Sequence, residues 1–190
     1  MKVTFNLSDS DLKYFRKLMT DVRTRHEKTP EAEIVANARA LLRAMESSSV
    51  PDFISERIES LRQLIDMLED HEWALSGKDR ERVVRGMAYF AEPEDMIPDR
   101  VPVLGFLDDA IMVELVVGEL VHEIDAYRDF CEFRRIHEER FGKEDPATRD
   151  EWLVARRTSL HQRMRRRRTR RRERTGPGPR TSRRSPIGLW

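Results

Sequence analysis

The chain has 190 residues, 38% apolar and 37% charged, with a formal net charge of +1. That length suits one domain plus a tail, and the low apolar share predicts that part of the chain stays outside the packed core. The near-neutral total excludes neither an acidic nor a basic surface: residues 1–148 hold 21 Lys+Arg against 32 Asp+Glu, or −11, whereas residues 149–190 hold 15 Arg against Asp150, Glu151 and Glu173, or +12.

Cys131 is the only cysteine, which excludes an intramolecular disulfide and a thiolate zinc site and suits a reducing compartment. The N-terminus MKVTFNLSDSD has no continuous apolar core, so a signal peptide is not expected. The most apolar stretch, AIMVELVVGELV, is 12 residues long and holds two glutamates, whereas a membrane span needs about 20 apolar residues. A soluble, cytoplasmic protein with no transmembrane segment is the expectation.

In chain order, KVTFNL alternates Val3, Phe5 and Leu7 with polar residues, and period two predicts a short strand. Ser8 and Asp11 form a capping-box-like pair that starts a helix carrying Leu12, Phe15, Leu18, Met19 and Val22 on one face. Thr29-Pro30 marks a second start, as N-cap and first helical residue, ahead of Ile34, Val35, Ala38, Leu41, Leu42 and Met45. A third helix is expected from about residue 52 to about 72, with Ile54, Ile58, Leu61, Ile65 and Leu68 at steps of four and three. Trp73 and Leu75 close its end. A fourth starts near Asp79, carries Val83, Val84, Met87, Ala88 and Phe90, and is stopped by Pro93.

The longest helix is expected from about 106–109 to about 139. Phe106, Ala110, Val113, Val117, Leu120, Ile124, Tyr127 and Cys131 recur at steps of four and three, and extra apolar residues bury its first half more deeply. TRDEWLVARRTSLHQRM is a candidate for one more helix, thin in apolar content. The fold class is therefore mainly α: about five helices in one bundle-like core, one N-terminal strand, and a disordered Arg-rich C-terminal tail. Three regions follow: a strand-helix-helix unit over 1–46, a helical body over 52–142 with a Pro/Asp hairpin at 89–109, and a basic, largely disordered tail over 149–190. The lone strand needs a partner for its backbone groups, so a homodimer paired through it is a candidate.

The hairpin YFAEPEDMIPDRVPVLGFLDD holds three prolines and four aspartates. Each proline biases its predecessor to extended geometry. Asp99 is placed to cap a short turn, Asp108 or Asp109 to cap the long helix, and Gly105 to permit the change of direction. The rival reading gathers Asp95, Asp99, Asp108 and Asp109 around a hard cation, without the spacing of a calcium loop. Tyr89-Phe90, Pro93, Asp95, Ile97-Pro98-Asp99, Pro102, Gly105-Phe106 and Asp108-Asp109 together resemble the signature of the YkvA-like family. The resemblance covers about residues 78–121. It implies a helical hairpin around the motif, with no established reaction and no agreed catalytic residues.

Glu119-x-x-His122 matches half of a di-iron carboxylate site, but no second Glu-x-x-His exists, and a solvated pair is the plainer reading. No P-loop, dinucleotide glycine motif or nucleophile elbow occurs. RMRRRRTRRRER is the strongest electrostatic feature. Arg163, Arg165, Arg166, Arg167, Arg168, Arg170, Arg171 and Arg172 form a candidate polyanion surface for nucleic acid or anionic lipid. The plain alternatives are a solubilising tail, or one folded back on the acidic body. The N-terminal order also resembles a ribbon-helix-helix half, which would read DNA with Lys2, Thr4 and Asn6. The leading expectation is a noncatalytic protein that acts through an unidentified protein partner. Nucleic-acid binding through the tail is the first alternative, and a metal-dependent enzyme built on the aspartates is the second.

Overall fold

The computed structural model describes residues 8–48, 52–91, 106–141 and 146–175. These form seven α-helices and one 3-10 segment, and no strand occurs among them. The strand expected over residues 2–7 lies outside the described residues, as do the dimer pairing and DNA-reading side chains built on it.

Helix α1 (Asp9–Arg25) starts at the foreseen capping box: Ser8 Oγ accepts from the Asp11 amide at 3.3 Å, and Asp11 Oδ2 accepts from the Ser8 amide at 2.9 Å. It buries Phe15, Met19 and Val22. Helix α2 (Glu31–Ser47) buries Ile34, Ala38, Leu42 and Met45. Its N-cap is Pro30 rather than Thr29, whose hydroxyl instead meets His26 Nδ1 at 3.0 Å. Helix α3 (Asp52–Glu69) is the central element and packs against α2 and against three later helices. All five residues of its expected stripe are buried, and so are Trp73 and Leu75 beyond it. The turn after α3 is built by Asp70, whose Oδ1 accepts from the amides of Glu72 and Trp73.

Helix α4 (Gly77–Gly86) runs directly into the 3-10 segment Met87–Ala91, whose five residues are all buried. The apolar stripe expected on one long helix four thus changes pitch at Gly86. A Cβ there would come within 2.9 Å of Leu120 Cδ1, so glycine is what lets α4 approach the next layer.

The long helix expected from about 106 to about 139 is two helices, α5 (Leu107–Glu119) and α6 (Val121–Phe141), separated at Leu120. The apolar repeat crosses this point without a miss because Leu120 itself stays buried. The carbonyls freed at the break are met by side chains from other helices. Arg171 Nη1 donates to Gly118 O at 2.9 Å, and Arg82 Nη2 donates to Glu119 O at 3.1 Å. Cations at a helix C-terminus satisfy its last carbonyls and its dipole.

The second correction is larger. Residues 146–175 form one 30-residue helix, α7 (Pro146–Thr175): the candidate helix over TRDEWLVARRTSLHQRM is present, and it continues through the arginine run to Thr175, where the largely disordered tail over 149–190 was expected. Residues 176–190 lie outside the described residues. Arginine is a good helix former, and the repulsion that crowding creates is offset by carboxylates on the body. The break at 120 and this helix together raise the count above five. The buried side chains of α1 to α7 form one cluster, which Leu153, Leu160 and Met164 of α7 join.

Candidate polyanion interface

Helix α7 lies along α6. Near its start, Trp152 stacks on His137 with centroids 4.3 Å apart and meets Phe133 edge-on at 5.4 Å. Further along, Leu153, Leu160 and Met164 recur at steps of seven and four and are buried. Continuing that register, the next inward positions are Arg168 and Arg171. The apolar seam therefore turns into an ionic one midway along the helix.

Two carboxylates receive that ionic end. Asp79 of α4 is 3% exposed and Glu123 of α6 is fully buried. Arg168 bridges them, with Nη2 2.8 Å from Asp79 Oδ1 and Nη1 2.9 Å from Glu123 Oε1. Arg165 Nε reaches Asp79 Oδ2 at 2.7 Å, and Arg82 Nε reaches Glu123 Oε1 at 3.0 Å. Burial pushes the Asp79 carboxyl up, but the hydrogen bonds from Arg165 and Arg168 outweigh it and hold Asp79 below the usual carboxylate range. Arg163 pairs with Asp129 of α6.

A second ionic clasp holds the other part of α7. Glu72 in the turn after α3 accepts from Arg149 and Arg134, and these two hydrogen bonds keep its carboxyl low despite partial burial. Arg157 donates to the Glu72 carbonyl at 3.0 Å.

The expected polyanion residues are thus divided by the helix. Arg163, Arg165, Arg168 and Arg171 face the body and are engaged there. Arg166, Arg167, Arg170 and Arg172 are exposed, as is Arg174, and none of these five makes an ion pair among the described residues. Arg167, Arg170 and Arg174 line an open cleft of about 610 Å³ with His122 and Asp125 of α6.

The other candidate constellation is only partly visible. Asp95, Pro98, Asp99, Pro102 and Gly105 lie outside the described residues. Asp108 and Asp109 are 1% and 4% exposed. Neither is the N-cap of α5, which is Phe106; they are its second and third residues. That is a correction of position by two residues. The electrostatic reason for acids there still holds, since the first-turn amides and the dipole favour carboxylates. Among the described residues, no group of three or more His, Cys, Asp or Glu is arranged to hold a metal ion. Glu119 pairs with Arg23 of α1 at 2.9 Å and is not joined to His122.

Sequence reasoning missed Asp79, Glu123, Arg82 and Arg23. A signal for two of them is present. Glu123 sits in the register Val116, Leu120, Tyr127, Phe130, and Asp79 lies four residues before buried Val83. An acid at a core position requires a buried cation, and the arginine run is where one is found.

A family model described as a protein of unknown function (DUF1232) matches residues 83–115. The match takes in the end of α4, the 3-10 segment and the first nine residues of α5, and so contains the whole 89–109 motif. No curated protein and no solved structure matches the chain. No helix among the described residues is long and apolar enough to cross a membrane.

Proposed function

We propose that this chain is a noncatalytic, cytoplasmic binding protein of the YkvA-like type, and that its partner is the phosphate backbone of a nucleic acid, contacted without sequence preference. The supporting observation is the sorting of arginines on α7: one side is clamped to buried carboxylates, and Arg166, Arg167, Arg170 and Arg174 are left exposed and unpaired among the described residues. A docked helix presents these cations with little ordering left to do on binding. From Arg166 to Arg174 they span about 12 Å of helix, roughly three to four phosphate spacings of one strand measured along a duplex axis. The exposed face between them holds Thr169 and Glu173 and no apolar residue to enter a bilayer, which favours nucleic acid over lipid. The YkvA-like assignment rests on the order of prolines, aspartates and glycine in 89–109 and on the overlapping family match.

The test is fluorescence anisotropy of a labelled random oligonucleotide, duplex and single-stranded, against the full chain at several salt concentrations. Binding should weaken with salt at a log–log slope near −0.9 per phosphate contacted on duplex DNA. Replacing Arg166, Arg167, Arg170 and Arg174 by glutamine should flatten that slope by about three or more while the melting temperature stays put. No binding at low salt, an unchanged slope in the variant, or binding to anionic vesicles alone would overturn the reading.

A further inference from the structure

On the opposite flank of α7 from the His122 cleft lies a second cavity of about 380 Å³. It stands where α1, α4, α7 and the break between α5 and α6 meet. Among the described residues, six cations reach it: Arg23, Lys78, Arg82, Arg85, Arg168 and Arg172. Lys78, Arg82 and Arg85 share one face of α4 at steps of four and three, and Arg168 and Arg172 share one face of α7 at a step of four.

The cations fall into two sets. Arg23, Arg82 and Arg168 are fixed by the protein. Arg23 donates to Glu119 at 2.9 Å and to the Arg85 carbonyl at 3.0 Å, and Arg82 and Arg168 meet on Glu123. Lys78, Arg85 and Arg172 are exposed and make no ion pair among the described residues. Against the six stand Glu81 and Glu119 on the wall and Asp79 and Glu123 behind Arg82 and Arg168, which leaves an excess of two positive charges. Lys78, Arg85 and Arg172, with no carboxylate of their own among the described residues, are the cations free to take an anion, and the guanidiniums of Arg82 and Arg168, held on buried carboxylates, and of Arg23, held on the exposed Glu119, fix the wall beside them.

The walls restrict the ligand. Among the described residues, their apolar members are Gly86 and Leu120, and no aromatic ring lines the cavity to stack a base. The volume exceeds what one phosphate fills and lies at the low end for ligand pockets. We propose that this cavity binds a compact inorganic polyphosphate, of the size of pyrophosphate to tripolyphosphate. The proposal stands apart from the nucleic-acid reading, because it uses a different flank of α7 and three residues of α4.

The experiment is calorimetric titration of the full chain with tripolyphosphate, pyrophosphate and orthophosphate. Two triple variants are compared: Lys78→Gln/Arg85→Gln/Arg172→Gln in the cavity, and Arg166→Gln/Arg167→Gln/Arg170→Gln outside it. Both remove three charges. Tripolyphosphate should bind the native chain more tightly than orthophosphate. The cavity variant should weaken that binding by at least about tenfold, the loss of one charge-assisted hydrogen bond, and the outer variant by less than about twofold. If the cavity variant melts below the native chain, Arg172→Gln alone is compared with Arg166→Gln alone, both on exposed positions of α7. No preference for the longer anion, or equal losses in the two variants, overturns the proposal. Loss of oligonucleotide binding in the outer variant with tripolyphosphate binding kept would separate this site from the interface above.

Discussion

Replacing Arg168 by methionine isolates the energy that docks the basic end of α7. The side chain keeps its stem and loses the guanidinium that bridges Asp79 and Glu123 at 2.8 and 2.9 Å. Removing one partner of a buried ion pair costs about 3–5 kcal/mol, because the other charge stays buried and uncompensated. Here each carboxylate keeps one guanidinium, Arg165 on Asp79 and Arg82 on Glu123, so the loss should be smaller, about 2–3 kcal/mol. For a chain of this size that corresponds to a fall of about 4–12 °C in melting temperature. Thermal and urea unfolding measure it directly. Limited trypsin digestion adds a local readout, since α7 is rich in cleavage sites that docking protects, and first cuts should move to the run after Arg163. Glu123→Gln combined with Arg168→Met should cost clearly less than the two single changes added, by about 0.5–3 kcal/mol, because they share one contact. A shift below about 2 °C for Arg168→Met, or strict additivity in the double variant, would show that the buried cluster does not hold α7 down.

Two further outcomes follow from the α3–α4 turn and its neighbours. Trp73 is fully buried against Tyr127, Phe130 and His161, with ring centroids at 5.8, 5.2 and 4.2 Å. Trp73→Ala should therefore cost about 3–5 kcal/mol in urea unfolding, and a loss under about 1 kcal/mol would contradict its placement. His161 is pushed down to about 4, first by burial and then by Arg165. Between the ordinary histidine value near 6.5 and pH 4 the unfolded chain binds the proton and the folded chain does not, so stability falls as pH falls through that window. His161→Phe should keep the edge contact on Trp73 and flatten the melting temperature over that window; parallel pH profiles would sink the assignment.

Legibility from sequence followed the apolar periods. The stripes of α1, α2 and α3 and the capping box at Ser8 came out where residue spacing put them, because an amphipathic helix writes its own buried face. Two features did not follow the stripe. At Leu120 the apolar repeat continues while the helix stops, and the carbonyls freed there are satisfied by Arg82 and Arg171 from other helices. Such donors are far away in sequence, 37 and 53 residues from the carbonyls they satisfy. The second feature is the state of residues 163–174. Taken alone, nine arginines against Glu173 repel one another and argue against a folded segment. Their helix exists because Asp79, Glu123 and Asp129 are presented along its inner side, and that presentation is a property of the assembled fold.

The opposed charges of the two parts of the chain acquire a physical meaning from this arrangement. An acidic body and a basic end attract at any geometry, but attraction between mobile, solvated charges is screened beyond about 8–10 Å at ordinary ionic strength. Contact at 2.7–3.0 Å on buried carboxylates is not screened in that way. Docking therefore selects those arginines whose register faces inward and leaves the remainder as they were. A cation already bound to Asp79 or Glu123 gains little from a phosphate, because it must give up one partner to take another. An unpaired one gives up only water, while the nucleic acid releases its condensed counterions. Oligonucleotide binding should thus fall on Arg166, Arg167, Arg170 and Arg174, and removing the inward set should weaken it only by releasing the helix. Arg168→Met supplies that comparison. Its effect on oligonucleotide affinity should appear where α7 has undocked, as seen by trypsin, and be slight at temperatures where α7 stays in place. An equal loss of affinity with α7 still protected would mean that Arg168 contacts the anion directly and that the division of the helix into a docked and a binding side is wrong.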